Sequence, residues 1–369
     1  MRQINPDVVA GYPITPQTLS IEKFSEYVAD GLVDTEFILT ESEHSAMSAC
    51  IGAAACGGRV ITATASAGLA FMWEVLYVAA STRLPITMCV MNRALSGPIN
   101  IHCDHSDSMG ARDSSWIQIF GENAQEAYDN AVQAVRIAEH RDVRLPVMTM
   151  QDGFIISHSV ERVEVLEDEK VKKFIGEIEP LFPLLDTENP LTYGPLDLYD
   201  YYFEHKRQQA YAMEKSFYVI EEVGREFEKI SKRGYGLLEG YELEDAEYAL
   251  VCLGSTAGTT KVAVDELREK GLKVGLLKVR VFRPFPYEHL RESLKHLEGI
   301  AVLDRSESFG AYPPLFSEVR SALYEDKVKT FSLVYGLGGR DITKQDIKKV
   351  FEDLISERLS LRGYLGVRE

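Results

Sequence analysis

The sequence has few cysteines, and none of them form a Cys-x-x-Cys pair. The five are Cys50, Cys56, Cys89, Cys103 and Cys252. An odd number without a secretory signal argues against a disulfide framework, and the missing spacing argues against an iron–sulfur cluster ligated by this chain alone. Four of them have apolar or small neighbours, which predicts buried thiols. Cys103 lies in a polar loop and is expected to be exposed. This cysteine usage predicts a cytoplasmic protein.

The sequence also lacks long apolar runs and an excess of basic residues. No apolar run reaches the roughly 18 residues of a membrane span. Residues 67–80 are apolar but carry Glu74, and we interpret them as one buried helix. Lys and Arg number 40 against 57 Asp and Glu, giving a net charge of −17. An acidic chain repels phosphate backbones, so neither nucleic acid nor membrane is an expected partner.

Two phosphate-binding motifs are missing as well: the sequence contains neither GxxxxGK[ST] nor GxGxxG. Gly336–Arg340 is rich in glycine, but such a turn after a strand is usually only a turn. His105 stands near Asp104 and Asp107, which raises the question of a metal site. Polar loop residues more often hydrogen-bond the backbone, so we predict no metal on this chain.

What is present is the composition of a globular protein, with 369 residues, 45% of them hydrophobic and 26% charged. This length predicts two domains joined by a connector. Short apolar runs alternate with helical periods over the first part, with strands predicted at 8–12, 36–39, 60–64, 86–91 and 147–150. One helix is predicted at 125–140. This alternation predicts an α/β fold with a parallel sheet and helices on both faces.

The second half divides into a connector and a smaller α/β unit. The boundaries are predicted at 1–160, 161–245 and 246–369. In the connector, apolar residues at steps of three and four predict one long amphipathic helix that packs on a domain or on another subunit. They are Ala210, Met213, Phe217, Ile220, Val223, Phe227 and Ile230. The third region is predicted to contain four strands, at 249–253, 274–279, 300–303 and 330–334.

Several polar residues follow directly on predicted strands, where ligands bind in parallel sheets. Thr15 lies in the turn from Gly11 to Pro16, which opens a helix whose first turn carries Pro16. Its hydroxyl is either a ligand contact or a helix cap, and the flanking prolines can fix it for both. Arg93 follows the strand at 86–91, where it suits a carboxylate ligand or forms a surface ion pair. Residues 93–116 have no regular period, which favours an ordered functional loop.

In sequence order, a set of motifs resembles the pyrimidine-binding domain of 2-oxoacid:ferredoxin oxidoreductases. The motifs are Tyr12-Pro13-Ile14-Thr15-Pro16, Glu41-Ser42-Glu43-His44-Ser45-Ala46, Thr64-Ala65-Ser66-Ala67-Gly68, Asn92-Arg93, Asp104-His105-Ser106-Asp107, Arg112-Asp113, Gln151-Asp152-Gly153-Phe154 and Ser157-His158. Residues 249–339 are similar to the transketolase-C-like domain of that family. The resemblance therefore implies a thiamine-diphosphate fold with a smaller transketolase-C-like α/β domain.

The resemblance also assigns roles to residues. It implies that Glu43 hydrogen-bonds N1′ of the thiamine diphosphate aminopyrimidine and helps to remove the C2 proton. Glu41 is the competing carboxylate, and for either residue a position at a helix N-terminus is the structural alternative. Thr15 and Arg93 are implied to contact the 2-oxoacid. The remaining residues of the turn, Tyr12, Pro13 and Ile14, are implied to line the cofactor.

The family's other parts are missing from this chain. Thiamine enzymes hold the diphosphate through a metal and a GDG…N pattern, and Gln151-Asp152-Gly153 lacks the first glycine. The resemblance therefore implies a β subunit that shares the thiamine diphosphate and carries Mg²⁺ and a 4Fe-4S cluster, together with a γ subunit and a ferredoxin-like δ subunit with further clusters. The chain also lacks the family's usual N-terminal stretch with its Gly-Asn, which predicts that one flank of the first strand is uncovered.

Three functions are compatible with the sequence. The first is an α subunit that, with its partners, converts pyruvate, CoA and oxidised ferredoxin to acetyl-CoA, carbon dioxide and reduced ferredoxin. The second is the same chemistry on a branched-chain, aryl or dicarboxylic 2-oxoacid such as 2-oxoglutarate. The third is a non-catalytic scaffold subunit. The presence of Thr15, Glu43 and Arg93 together at strand ends favours a catalytic chain.

Overall fold

A computed structural model describes residues 1–368, which form two mainly parallel sheets. The first sheet has seven strands in the order β10-β5-β6-β4-β3-β1-β2, and only β10 runs antiparallel to its neighbour. Its strands are β1 (Val8–Gly11), β2 (Glu36–Leu39), β3 (Val60–Thr64), β4 (Ile86–Asn92), β5 (Ile117–Phe120), β6 (Val147–Asp152) and β10 (Val281–Arg283). The central strands β3, β4 and β6 are buried along nearly their whole length and carry mainly apolar side chains, as expected for parallel strands covered by helices on both faces.

The second sheet has six strands in the order β13-β12-β11-β8-β9-β7, with β7 antiparallel to β9. Its strands are β7 (Leu238–Tyr241), β8 (Tyr248–Cys252), β9 (Val274–Val279), β11 (Gly299–Asp304), β12 (Lys329–Tyr335) and β13 (Arg362–Leu365). The four strands predicted for residues 246–369 are confirmed. The strands β5, β7, β10 and β13 were not predicted: each has only three or four residues and includes a polar residue, so the apolar signal is weak.

Helices cover both sheets. They are α1 (Thr18–Ala29), α2 (Glu43–Ala55), α3 (Ser66–Phe71), α4 (Trp73–Ser81), α5 (Ser106–Gly110), α6 (Ala124–Glu139), α7 (Asp168–Ile175), α8 (Tyr202–Ser231), α9 (Thr256–Arg268), α10 (Tyr287–Leu294), α11 (Pro314–Ala322) and α12 (Lys344–Ile355). One apolar cluster joins α2 and α4 to the first sheet and continues onto one face of the second sheet. A second cluster lies under α1, α6 and α8, and a third under α9 and α12. The predicted α/β fold with helices on both faces is confirmed.

The long connector helix is confirmed as α8, and it packs on the first sheet through Ile220, Val223 and Phe227. Ala210 was predicted on the same stripe but is exposed. The prediction of one buried helix over residues 67–80 is wrong, since α3 ends at Phe71 and α4 begins at Trp73, and both aromatic side chains are more than half exposed. The domain boundaries at 160 and 245 remain a prediction.

Strand β1 is paired on both of its edges. The expectation that one flank of β1 is uncovered is wrong for its backbone, because β1 pairs with β2 on one side and with β3 on the other. Its side chains at Val9 and Ala10 are fully buried.

Among residues 1–368, no helix combines the length and the apolar character needed to cross a membrane.

The buried carboxylate of Asp304 caps α11 at the end of β11. It accepts hydrogen bonds from the backbone N–H groups of Leu315 at 2.8 Å and Phe316 at 3.0 Å. Burial raises the pKa of Asp304 to about 7, although these two donors oppose the shift. The folded protein therefore holds a charged carboxylate at an unfavourable position above pH 7, and this cost is relieved as the pH falls.

We predict that the wild-type chain gains stability relative to Asp304→Asn when the pH falls from 8 to 5. The unfolded Asp stays charged over this range while the folded one becomes neutral, which corresponds to about 2–3 kcal/mol. Asparagine is neutral throughout and lacks this contribution. Urea denaturation of both proteins at the two pH values measures the difference. The same pH dependence in both proteins would refute the role of Asp304.

Candidate functional site

The candidate site lies at the edge of the first sheet where the parallel strands end. Strand β1 is flanked by β2 on one side and β3 on the other, so the chain reverses its direction of winding there. Ligands of open α/β sheets bind in the crevice outside such a switch point. The turn after Gly11, the start of α2, the turn after Thr64 and the turn after Asn92 all meet at this edge.

The turn that follows β1 presents its residues outward. Tyr12, Pro13 and Thr15 are exposed and Ile14 is half-buried. The buried side chain of Gln17 stabilises the turn. Its Oε1 accepts a hydrogen bond from the backbone N–H of Ile14 at 3.2 Å, and its Nε2 donates to the carbonyl of Ala63 at 2.9 Å. No motif or local pattern singles out this glutamine.

The expectation that Pro16 lies in the first helical turn, with Thr15 as a possible cap, is wrong. Helix α1 begins only at Thr18, its N-cap position is Gln17, and no side chain caps it. Thr15 is thus free of a capping role. The residues before Thr18 form a rigid turn instead.

Glu43 is the first residue of α2, and Ser42 caps that helix by accepting the backbone N–H of Ser45 at 3.2 Å. The Glu43 side chain is only 7% exposed and lies across Gly68. A Cβ at Gly68 would lie 2.7 Å from Glu43 Oε1 and 2.5 Å from Thr64 Oγ1. Among the described residues, the buried Thr64 hydroxyl has no hydrogen-bond partner. The glycine therefore makes room for the carboxylate.

Glu41, the competing carboxylate, has different surroundings. It is exposed and accepts a hydrogen bond from the hydroxyl of Ser45. That hydrogen bond lowers the pKa of Glu41. The geometry thus separates the two glutamates: Glu43 faces the crevice, whereas Glu41 is paired at the surface.

Arg93 is 8% exposed, so the alternative of a surface ion pair is wrong. Its Nη1 donates to the carbonyl of Thr15 at 2.9 Å and its Nε to the carbonyl of Asn100 at 2.8 Å. No carboxylate oxygen of residues 1–368 lies within 4.0 Å of the guanidinium. A buried cation held only by neutral carbonyls leaves its charge uncompensated, and this favours an anionic ligand. The structure thus brings Arg93 and Thr15 together.

Asp107 holds the turns of the site in place, a role that the sequence did not reveal. Its carboxylate accepts from the backbone N–H groups of Ser66 at 2.9 Å, Arg93 at 3.0 Å and Ser108 at 2.7 Å. It also accepts from the Asn92 amide at 2.8 Å. Burial raises the pKa of Asp107 to about 6, against the effect of these donors. One signal was available: Asp107 stands two residues before the apolar Met109, in the stretch that leads to a buried strand.

A second buried cluster joins the loop to the other sheet. His105 hydrogen-bonds Asp152 at 2.7 Å, and the Arg305 guanidinium lies 3.5 Å from the same carboxylate. Burial by itself would raise the pKa of Asp152, but His105 and Arg305 hold it well below its usual range. His105 therefore pairs with a side chain and not, as expected, with the backbone.

Cys103 belongs to this cluster. The prediction that it is exposed is wrong: it is fully buried, and burial raises the pKa of its thiol. The thiol, His105 and Asp152 offer ligand atoms within 4.8 Å of one another. Arg305 already supplies a positive charge to Asp152, so the carboxylate is compensated without an ion.

Comparisons with known proteins identify the family of the chain. Residues 1–225 match the family described as "Pyruvate flavodoxin/ferredoxin oxidoreductase, thiamine diP-bdg", and residues 246–347 match "Pyruvate:ferredoxin oxidoreductase core domain II". The chain belongs to the pyruvate flavodoxin/ferredoxin oxidoreductase family. The family predicted from the motifs is confirmed, as is its thiamine diphosphate-binding character.

Relatives within the family cover nearly the whole chain. The pyruvate synthase subunit PorA of Thermotoga maritima is 61% identical over 100% of this chain and 95% of its own length. PorA of Methanocaldococcus jannaschii is 48% identical over 98% of this chain and 94% of its own length. The ketoisovalerate oxidoreductase subunit VorA of Pyrococcus horikoshii is 46% identical over 94% of this chain and 88% of its own length. Two of these relatives are named as subunits of a pyruvate synthase and the third as a subunit of a ketoisovalerate oxidoreductase.

A solved structure has the same fold. The 2-oxoglutarate:ferredoxin oxidoreductase of Magnetococcus marinus aligns with a TM-score of 0.69 at 17% identity over 95% of this chain. The alignment spans 62% of that larger chain. At this identity the likeness concerns the fold alone.

We predict that Gly68→Ala displaces the Glu43 carboxylate, because the new Cβ would overlap it and Thr64. A misplacement of about 1 Å can lower turnover about a hundredfold, while overpacking costs about 1–3 kcal/mol of stability. The matched control is Gly52→Ala in α2, where a Cβ meets nothing within 4 Å. The control should keep its turnover and gain up to about 1 kcal/mol. Turnover of the assembled oxidoreductase and urea denaturation decide, and equal turnover in both variants would contradict the prediction.

Proposed function

We propose that the chain is the α subunit of a pyruvate:ferredoxin oxidoreductase that uses thiamine diphosphate. The assembled enzyme converts pyruvate, CoA and two oxidised ferredoxins to acetyl-CoA, carbon dioxide, a proton and two reduced ferredoxins, and the reverse reaction is pyruvate synthesis. The observation that carries this proposal is the 61% identity to the pyruvate synthase subunit of Thermotoga maritima over the entire chain. The positions of Thr15, Glu43 and Arg93 just after β1, β2 and β4 support a catalytic role over a scaffold.

The crevice fits the aminopyrimidine half of thiamine diphosphate. The Glu43 carboxylate is largely buried and lies against Gly68, and Tyr12, Pro13 and Ile14 form a turn at the same end of the sheet. When bound, the cofactor would supply a carbon nucleophile for the oxo carbon of the substrate. Glu43 would hold a proton at N1′ of the ring and so favour loss of the C2 proton.

Arg93 and Thr15 are proposed to bind the 2-oxoacid. The Arg93 guanidinium is buried, uncompensated and fixed through the Thr15 and Asn100 carbonyls, so its remaining N–H groups are oriented for a carboxylate. The exposed Thr15 hydroxyl lies on the same turn and can donate to the oxo or carboxylate oxygen. A preorganised arginine costs little entropy when the substrate binds.

Partner chains complete the site in this proposal. The sequence lacks a GDG…N pattern and paired cysteines, so we assign the Mg²⁺–diphosphate half of the cofactor and a 4Fe-4S cluster to a β subunit. A γ subunit and a ferredoxin-like δ subunit with further clusters would carry electrons to ferredoxin. We place the complex in the cytoplasm. The proposed domains of this chain are residues 1–160, 161–245 and 246–369.

A branched-chain 2-oxoacid is the second candidate substrate. Ketoisovalerate oxidoreductase subunits of Pyrococcus are 45–46% identical to this chain, close to the 46% of pyruvate synthase subunit PorA from Pyrococcus furiosus. Comparing kcat/KM for pyruvate and 3-methyl-2-oxobutanoate in the assembled enzyme decides between the two. A higher value for the branched substrate would overturn pyruvate as the substrate.

We predict that Glu43→Gln slows deuterium exchange at cofactor C2 by about 10²–10⁴-fold in the assembled enzyme. The amide is nearly isosteric, so folding and assembly should persist, but it cannot take up the proton. Quenched NMR measures this step before decarboxylation and electron transfer. Glu41→Gln is the matched control and should exchange at nearly the wild-type rate, because Glu41 is exposed. A slow Glu41→Gln with a normal Glu43→Gln would reverse the assignment.

We also predict that Arg93→Ala raises the KM of the 2-oxoacid about tenfold to a hundredfold. A charge-assisted contact to a carboxylate contributes about 1.5–3 kcal/mol, whereas CoA makes no such contact with Arg93. Steady-state kinetics with each substrate varied in turn provide the measurement. Equal increases in both constants would show that Arg93 is only structural.

A further inference from the structure

The loop after β4 connects the candidate site to the second sheet. Residues 96–99 and the two residues after Asn100 are exposed, while Asn100 itself is half-buried and turned inward. The loop is closed by a hydrogen bond from the backbone N–H of Ala94 to the carbonyl of His102 at 3.0 Å. Its tip thus presents one inward-facing residue, Asn100.

Asn100 is held at three atoms. Its backbone carbonyl accepts from Arg93 Nε at 2.8 Å, and its side-chain Oδ1 accepts from the backbone N–H of His102 at 2.7 Å. Its Nδ2 donates to the carbonyl of Gly338 at 3.1 Å. One residue therefore connects the Arg93 guanidinium to the turn that follows β12 in the second sheet.

Two glycines of that turn leave room for close contact with the loop. Gly338 has φ +62°, and a Cβ there would lie 2.5 Å from Asn100 Nδ2. Gly339 has φ +79°, and its Cβ would lie 2.4 Å from the Cβ of His102. The backbone N–H of Gly338 also lies 3.3 Å from Asp104 Oδ2. The Gly-rich stretch therefore serves as a docking turn for the loop.

We propose that Asn100 is a positioning residue for Arg93, and that the Gly338–Gly339 turn holds Asn100 in place. This inference rests on the proposed binding of the 2-oxoacid by Arg93. Both acceptors of the guanidinium are neutral carbonyls, which fix its orientation and leave its charge for the substrate. The second sheet thereby sets the orientation of a substrate-binding residue on the first.

The first test is Asn100→Ala in the assembled enzyme. Without the Nδ2 and Oδ1 contacts the loop tip shifts and Arg93 loses its Nε acceptor. The KM of the 2-oxoacid is expected to rise about threefold to tenfold, the range of one lost hydrogen bond, while kcat and the KM of CoA stay within about twofold of wild type. Ser96→Ala, at an exposed position of the same loop, is the matched control with wild-type constants.

A double-mutant cycle separates positioning from a general structural effect. In the Arg93→Ala background, Asn100→Ala should cause no further rise in the KM of the 2-oxoacid, because the residue that it positions is gone. An equal rise in both backgrounds would mean that Asn100 acts independently of Arg93, and the inference would fall.

A substitution in the docking turn tests the same inference from the second sheet. Gly338→Ala should reproduce the selective rise in the KM of the 2-oxoacid, since its Cβ would displace Asn100. Gly310→Ala is the matched control, because Gly310 also has a positive φ, +85°, but its Cβ would meet nothing within 4 Å. A rise in both variants, or in neither, would overturn the inference.

The outcomes also distinguish this inference from the function on which it rests. If Arg93→Ala leaves the KM of the 2-oxoacid unchanged, the proposed role of Arg93 fails and the inference fails with it. If Arg93→Ala raises that KM while Asn100→Ala and Gly338→Ala do not, only the positioning role fails. Size-exclusion chromatography and thermal denaturation of each variant confirm that the compared enzymes are assembled and folded.

Discussion

The buried carboxylate of Asp152 at the end of β6 holds the two sheets and the intervening loop together. It binds His105 from the loop, and Ser255 and Arg305 from the second sheet's turns. Gly254 adopts φ +64° directly against it, where a Cβ would lie 2.9 Å from its oxygens. Burying the Asp152 carboxylate without partners would be very costly. The junction therefore depends on all three of these contacts together. The crevice at the end of the first sheet depends on this junction, because the loop that carries Asn100 and Asp107 is anchored there.

The site combines two kinds of buried charge. Asp107 is surrounded by N–H donors and serves the backbone, while Arg93 is surrounded by carbonyls and keeps its charge for a ligand. The same loop supplies both arrangements. A rigid frame is thus built from satisfied charges, and the proposed binding of a 2-oxoacid would use the Arg93 guanidinium, which has no carboxylate partner among residues 1–368.

Sequence reasoning located the strands with clear apolar runs and the residues at their ends, including Thr15, Glu43 and Arg93. It could not find β5, β7, β10 and β13, short strands that each include a polar residue, or the exposed aromatics at the junction of α3 and α4. It also misjudged Cys103, because local polarity does not reveal that Arg305 and Asp152 close over the loop from distant parts of the chain. Asn100 and Asp107 were missed for the same reason: their partners are set by tertiary structure, whereas turn and strand-end residues are set locally.

The late position of strand β10 in the sequence affects how the first sheet folds during synthesis. It pairs with β5 at the edge of the first sheet, yet it lies about 160 residues downstream of it. During synthesis the earlier strands emerge first, and β5 remains an open edge until residue 283 has left the ribosome. Open edges are sites of strand addition and aggregation. The amino-terminal sheet is therefore completed only by a segment from beyond the connector, and dividing the gene at the connector would release a product with an unprotected edge.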